Sequence, residues 1–191
     1  MYSEKISWLG PGMTTDATTA AWIRGTVARS PVPTVLDADG LNAFAGRASE
    51  LASRHADLVL TPHAGEFARL SGGTARDVEA DRVGHVRKLA AETQATVLLK
   101  GTRTLVGTPE GHVRVNPTGG PYLATGGTGD VLTGAIAGLL ARGLPSVDAA
   151  SVAAFLHGRA GALAAARAGE ATTAGDVLEH LAEALREVHG A

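Results

Sequence analysis

The sequence predicts an α/β fold, with a mostly parallel central sheet, helices on both faces and a helical C-terminal third. Three observations predict it. Short runs of β-branched and aliphatic residues alternate with longer segments of helical period, the mark of strand–helix–strand units. The runs VLDAD and TVLLK read as strands buried on both faces. The last three helical segments follow one another with no strand between them.

In chain order, a strand at 6–9 runs into GPGM, and a helix follows at 16–28. A strand at 34–37 ends in DADGLN and leads to a helix at 46–54. A strand at 57–61 ends in TPHAGE, before helical periodicity at 65–70 and continuously over 75–93. A strand at 96–100 ends in KGTRT. Strands at 103–107 and 112–115, joined by Thr-Pro-Glu-Gly, form a hairpin. Helices at 130–142, 147–168 and 174–188 complete the chain, with Thr172 and Thr173 as the N-cap of the last. No repeat, low-complexity tract or long linker divides residues 1–191, so a single domain is expected.

Composition narrows the function classes. A net charge of −2 offers no basic surplus for nucleic acid. With no cysteine there is neither a disulfide framework nor a thiolate metal site, in keeping with a reducing compartment. No apolar run approaches the ~18 residues of a membrane span. MYSEKISWLG lacks the zones of a signal peptide. A cytoplasmic protein with no membrane partner is the expectation.

Open parallel sheets bind ligands beyond the carboxyl ends of their strands. GPGM, DADGLN, TPHAGE and KGTRT would therefore share one polar crevice. LATGGTGDVLTGAIAGLLARG adds the chemistry. Gly126, Gly127 and Gly129 permit positive φ and a close approach to a ligand. The helix that follows presents unpaired N–H groups and the positive end of its dipole, an anion site suited to a phosphoryl group. Asp130, favoured by the same dipole, suits the role of a base that takes a proton from a hydroxyl attacking phosphorus. No Gly-Lys-Thr/Ser follows, so this is not a Walker A loop. Standing alone, the motif also reads as a glycine-rich turn with an acid at a helix start.

GGTGDVLTGAIAGLLARGL resembles the anion-hole signature of the ribokinase-like superfamily. Together with TPHAGEFARL, VLDADGLN, VLLKGTRTLV and VNPTGGPYLA, it resembles the ADP- or ATP-dependent NAD(P)H-hydrate dehydratases. The resemblance implies a metabolite-repair lyase acting on NADH or NADPH hydrated at ring carbon C6. ADP (or ATP) phosphorylates that hydroxyl, phosphate leaves, NAD(P)H is restored, and ADP yields AMP. It further implies Asp130 as base, with Gly127, Thr128 and Gly129 holding the transferred phosphoryl by their N–H groups. Lys100, Gly101, Thr102, Arg103, Thr104, Asn116 and Gly129 would contact the nucleotide. Gly12, Asp39, Asn42, His63 and Asp130 would contact the substrate. His63-Ala-Gly-Glu66 matches the spacing of the superfamily's Asn-x-x-Glu, so Glu66 would organise Mg²⁺ through water. Strand alternation would place Asp37 beside Asp39, while Asp39 or Asn42 serves equally as a helix cap.

The sequence departs from the family pattern in places. Alanine at 64 replaces the proline of the family's PHPGE box, loosening that turn. Met13 and Thr14 replace Leu and Gly of a GPGLG motif. That motif arrives by residue 8, so the domain is expected to lack the family's N-terminal segment, with a homo-oligomer covering the surface this leaves. Two rivals share the features: a small-alcohol kinase of the same fold, and a nucleotide-binding module that no longer catalyses.

Overall fold

The computed structural model describes residues 6–190. Its six-stranded sheet follows chain order: β1 (Ser7–Leu9), β2 (Thr34–Leu36), β3 (Leu58–Leu60), β4 (Thr96–Leu99), β5 (Leu105–Gly107) and β6 (Val113–Val115). The first four are parallel, and β4–β5 and β5–β6 are antiparallel. The fold is the α/β class expected from the sequence, a mostly parallel sheet with helices on both faces.

The apolar runs are explained by burial on both faces. Leu36, Leu58, Leu60, Val97 and Leu99 pack on one side, against α1 (Ala17–Arg29), α2 (Ala38–Asn42), α3 (Ala64–Ser71), α4 (Ala75–Ala80) and α5 (Arg82–Thr93). Val35, Val59, Leu98 and Val106 pack on the other, against α6 (Thr128–Ala141) and α7 (Ser146–Ala168). Each such buried Leu or Val contributes about 1.5–3 kcal/mol of transfer free energy. Ala149, Ala150, Ala153 and Ala154 keep α7 thin where it crosses the sheet. The last helix, α8 (Ala174–His189), packs on α7 through Val177 and Ala184.

Two expected helices take other forms. Residues 46–54 hold only a 3₁₀ helix, Ala48–Ala52. Arg54 ends it by donating Nη1 to Leu51 O. The segment expected over 75–93 breaks at Asp81, whose backbone leaves the helical region at φ −142° and ψ 68°. The Asp81 carboxylate accepts from Gly84 N at 2.9 Å, so a new N-cap wins over continued helix. The α6 helix starts at Thr128, which puts Asp130 in its first turn. Thr173 caps α8, in a capping box with Asp176. Thr172 instead donates Oγ1 to Gly169 O.

Candidate active site

The carboxyl ends of the strands do converge. Asp37 N donates to Leu9 O, Thr61 N to Leu36 O, and Lys100 N to Pro62 O, so each loop leans on its neighbour. β6 runs antiparallel to β5 and delivers Asn116 to the same edge, where its N–H meets Thr104 O at 2.8 Å.

At the start of α6, only Gly127 of the three glycines adopts positive φ, at +86°. A Cβ there would also stand a tight 3.2 Å from Cβ of Ala174, but it is the positive φ that calls for glycine. The Thr128 N–H is spent on Thr125 O (3.3 Å) and the Asp130 N–H on Gly127 O (3.1 Å). This corrects the expected donor set: among the described residues, the N–H groups of Gly127 and Gly129 stay unpaired, and that of Thr128 does not. Thr128 serves through its buried hydroxyl, which lies 2.7 Å from Leu123 O and 2.8 Å from Thr125 O and fixes the loop. Asp130 stands exposed.

Asp37 and Asp39 do not share a strand face. The strand stops at Leu36, and Asp37 occupies the N-cap position of α2 without a side-chain capping bond. Its carboxylate, 2% exposed, meets Lys100 Nζ (2.9 Å) and Thr133 Oγ1 (2.9 Å). Asp39 accepts from Thr14 N at 3.2 Å, which ties it to the Gly12 turn. Asn42 accepts from Arg69 Nε at 2.9 Å. Neither caps α2, because both lie inside it.

Lys100 is therefore no free surface cation. Its ammonium sits between Asp37 and Glu66, 3.6 Å from the latter's Oε2. Glu66 Oε2 also accepts from His63 N at 2.8 Å, and His63 Nδ1 accepts from Gly65 N at 3.0 Å. The TPHAGE box is thus a capping box at the start of α3, with a histidine as the cap. Ala64 occupies the first helical position, where proline is tolerated, so the exchange costs preorganisation alone. Glu66 Oε1 lies 3.4 Å from His63 Nε2. No group of three or more metal-ligating side chains gathers among the described residues.

A cavity of about 820 Å³ opens at this edge, ample for a nucleotide. It brings together Lys100, Gly101, Thr102, Arg103, Thr104, Asn116 and Gly129, with Thr128 and His63 on its wall. Gly127, Asp130, Gly12, Asp39 and Asn42 lie outside that lining. The expected nucleotide set is thus gathered in one cavity, and the expected substrate set, His63 apart, is not part of it. Asn116 lines the cavity by position, but its side chain is spent on the loop. Its Nδ2 donates to Ala154 O (3.0 Å), and its Oδ1 accepts from Thr118 Oγ1 (3.0 Å).

Sequence reasoning missed three residues here. Thr133 links α6 to Asp37 and bonds with Gly129 O at 2.9 Å. Arg82 lies behind the 100–104 loop. His157 of α7 lines the cavity with Nε2 buried and unpartnered, and burial pushes its pKa down to about 4. Thr133 sits one turn along α6 from Asp130, a spacing that could have drawn attention to it.

A family model described as NAD(P)H-hydrate dehydratase matches residues 4–183. The chain belongs to the NAD(P)H-hydrate dehydratase family. It is 48% identical over 181 residues to the bifunctional NAD(P)H-hydrate repair enzyme Nnr of Moorella thermoacetica, covering 94% of this chain and 34% of that one. It is 50% identical over 130 residues to the ADP-dependent (S)-NAD(P)H-hydrate dehydratase of Neisseria meningitidis serogroup B, covering 67% of this chain and 44% of that one. Among solved structures it resembles the ADP/ATP-dependent NAD(P)H-hydrate dehydratase of Bacillus subtilis co-crystallized with ATP/Mg²⁺. The TM-score is 0.86 at 30% identity, over 96% of this chain and 64% of that one. The chain thus spans about a third of Nnr and under half of the Neisseria dehydratase.

Proposed function

We propose that this chain carries an ADP-dependent (S)-NAD(P)H-hydrate dehydratase activity. The observation that supports it most is the meeting of an exposed acid with unpaired amides. Asp130 stands in the first turn of α6, beside the free N–H groups of Gly127 and Gly129, and Gly129 borders the nucleotide-sized cavity. Asp130 takes the proton of the C6 hydroxyl as its oxygen attacks the terminal phosphorus of ADP, and AMP departs. The two amides meet the charge on the transferred phosphoryl. The C6–O bond then breaks with loss of phosphate, and C5 gives up a proton to restore the ring double bond. Overall, NAD(P)H hydrate and ADP become NAD(P)H, AMP, phosphate and a proton.

Mg²⁺ keeps most of its waters and needs few carboxylates when phosphates are present, so a single buried carboxylate beside Lys100 would be enough. Glu66 is the residue to hold it through water, and the ion would neutralise phosphate charge. The reading retains a homo-oligomer in the cytoplasm. No described helix is long and apolar enough to cross a membrane.

The test incubates the purified chain with NADPH hydrate, Mg²⁺ and ADP and follows absorbance at 340 nm, with Asp130→Ala alongside. Recovery in the wild type, slowed about 10²–10⁴-fold in the variant, is expected. A folded wild type that binds ADP without recovery would replace this reading with the non-catalytic module. A stable phosphorylated product would replace it with a kinase.

A further inference from the structure

Arg82 opens α5, and two of its guanidinium nitrogens turn to the nucleotide segment, while Nε lies 3.6 Å from Glu79 Oε2. Nη1 donates to Thr102 O, and Nη2 lies 3.4 Å from both Leu99 O and Lys100 O. The side chain is only 16% exposed. It also occupies the space beside Gly101, whose φ is +137° and where a Cβ would come within 3.0 Å of Nη2.

A trans peptide is planar, so its N–H points opposite its C=O. Drawing the carbonyls of Lys100 and Thr102 toward Arg82 turns the N–H groups of Gly101 and Arg103 the other way. Neither amide has a hydrogen-bond acceptor among the described residues, and both residues line the cavity. We infer that Arg82 is a positioning residue. It clamps the carbonyl side of residues 99–102 so that the Gly101 and Arg103 amides face the cavity as a preformed site for the nucleotide's anionic groups. This rests on the nucleotide reading of the cavity. The fork is what does it: Lys would carry the charge but offers one ammonium where Arg sets two nitrogens apart on a rigid plane.

The fold supplies its own control. At the opposite end of the sheet, Arg54 holds carbonyls in the same manner, those of Ala56 (3.0 Å), Leu51 (2.6 Å), Thr93 (2.6 Å) and Gln94. That clamp borders a different, smaller cavity. Arg82→Lys, Arg82→Gln and Arg54→Lys would be compared with the wild type in thermal unfolding, ADP titration by calorimetry, and ¹⁵N–¹H shifts of the Gly101 and Arg103 amides. The expected result is that all three lose thermal stability, that only the Arg82 variants weaken ADP binding, by about tenfold, and that ADP moves both amides in the wild type and in Arg54→Lys but not in the Arg82 variants. Arg54→Lys weakening ADP as much as Arg82→Lys would reduce the effect to general stability and overturn the inference. A wild type that binds ADP without moving either amide would overturn it and leave the nucleotide reading standing. A wild type that binds no ADP would overturn both.

Discussion

Replacing Lys100 by Met measures what this lysine does for the fold. The substitution keeps most of the apolar stem and removes the ammonium. Left behind is the Asp37 carboxylate, 2% exposed, with one of its two partners gone and only the Thr133 hydroxyl at 2.9 Å remaining. Glu66 Oε2 loses its neighbour at 3.6 Å as well. Breaking a buried pair from one side costs about 3–5 kcal/mol, because a charge stays buried without compensation. In a chain of this size that lowers Tm by about 10 °C. Adding Asp37→Asn removes the stranded charge, so the double variant should regain about 2 kcal/mol or more over the single one. Urea unfolding of the wild type, both single variants and the double variant closes the cycle. A loss under about 1 kcal/mol in Lys100→Met, or a double variant no more stable than it, would refute the idea that Asp37 depends on Lys100.

Other expectations follow from named contacts. Burial holds the His157 imidazole neutral, with a pKa pushed down to about 4 from 6.5. The unfolded chain therefore binds more protons between those values, and stability present above pH 6.5 is lost as pH falls toward 4, by about 3 kcal/mol in all. His157→Gln should flatten that loss in urea unfolding at pH 7.5 and 4.5; parallel losses in the two proteins would contradict the assignment. Gly158→Ala would drive a Cβ to 2.2 Å from Thr118 Oγ1 and 2.6 Å from Gly119 N. It should cost about 1–3 kcal/mol and weaken ADP binding, read by unfolding and calorimetry. Glu66→Gln keeps an acceptor for His63 N, so it should fold while needing more Mg²⁺ for half-maximal activity. An unchanged Mg²⁺ requirement would leave Glu66 as a capping residue only.

The sequence made the strand ends legible because burial on both faces writes an apolar run, and the polar tail of each run is a loop at the ligand edge. The glycines before α6 were legible for a similar reason: a helix opening with so little side chain leaves its backbone accessible. Pairings across the fold were not legible. Asp37 and Thr133 meet only once α6 lies on the sheet, and no local pattern announces it. The break at Asp81 is a contest between two forms of hydrogen bonding that helical periodicity alone does not register. Arg82 acts on a loop reached only after α5 has turned back along β4, so it read as one more charged residue on a helix. Asn116 was picked out by its neighbours, and its amide turned inward to shape the loop.

The loop before α6 is among the most glycine-rich parts of the chain and is exposed, yet it is tethered at both ends. Thr125 Oγ1 reaches Thr172 O at 3.3 Å, the Thr128 hydroxyl draws in Leu123 O, and a Cβ added to Gly127 would stand 3.2 Å from that of Ala174. Its backbone freedom is used for shape, the positive φ of Gly127. The start of α8 thus acts as a backstop to the glycine loop, and bulk added at Ala174 would be felt at the first turn of α6 through that loop.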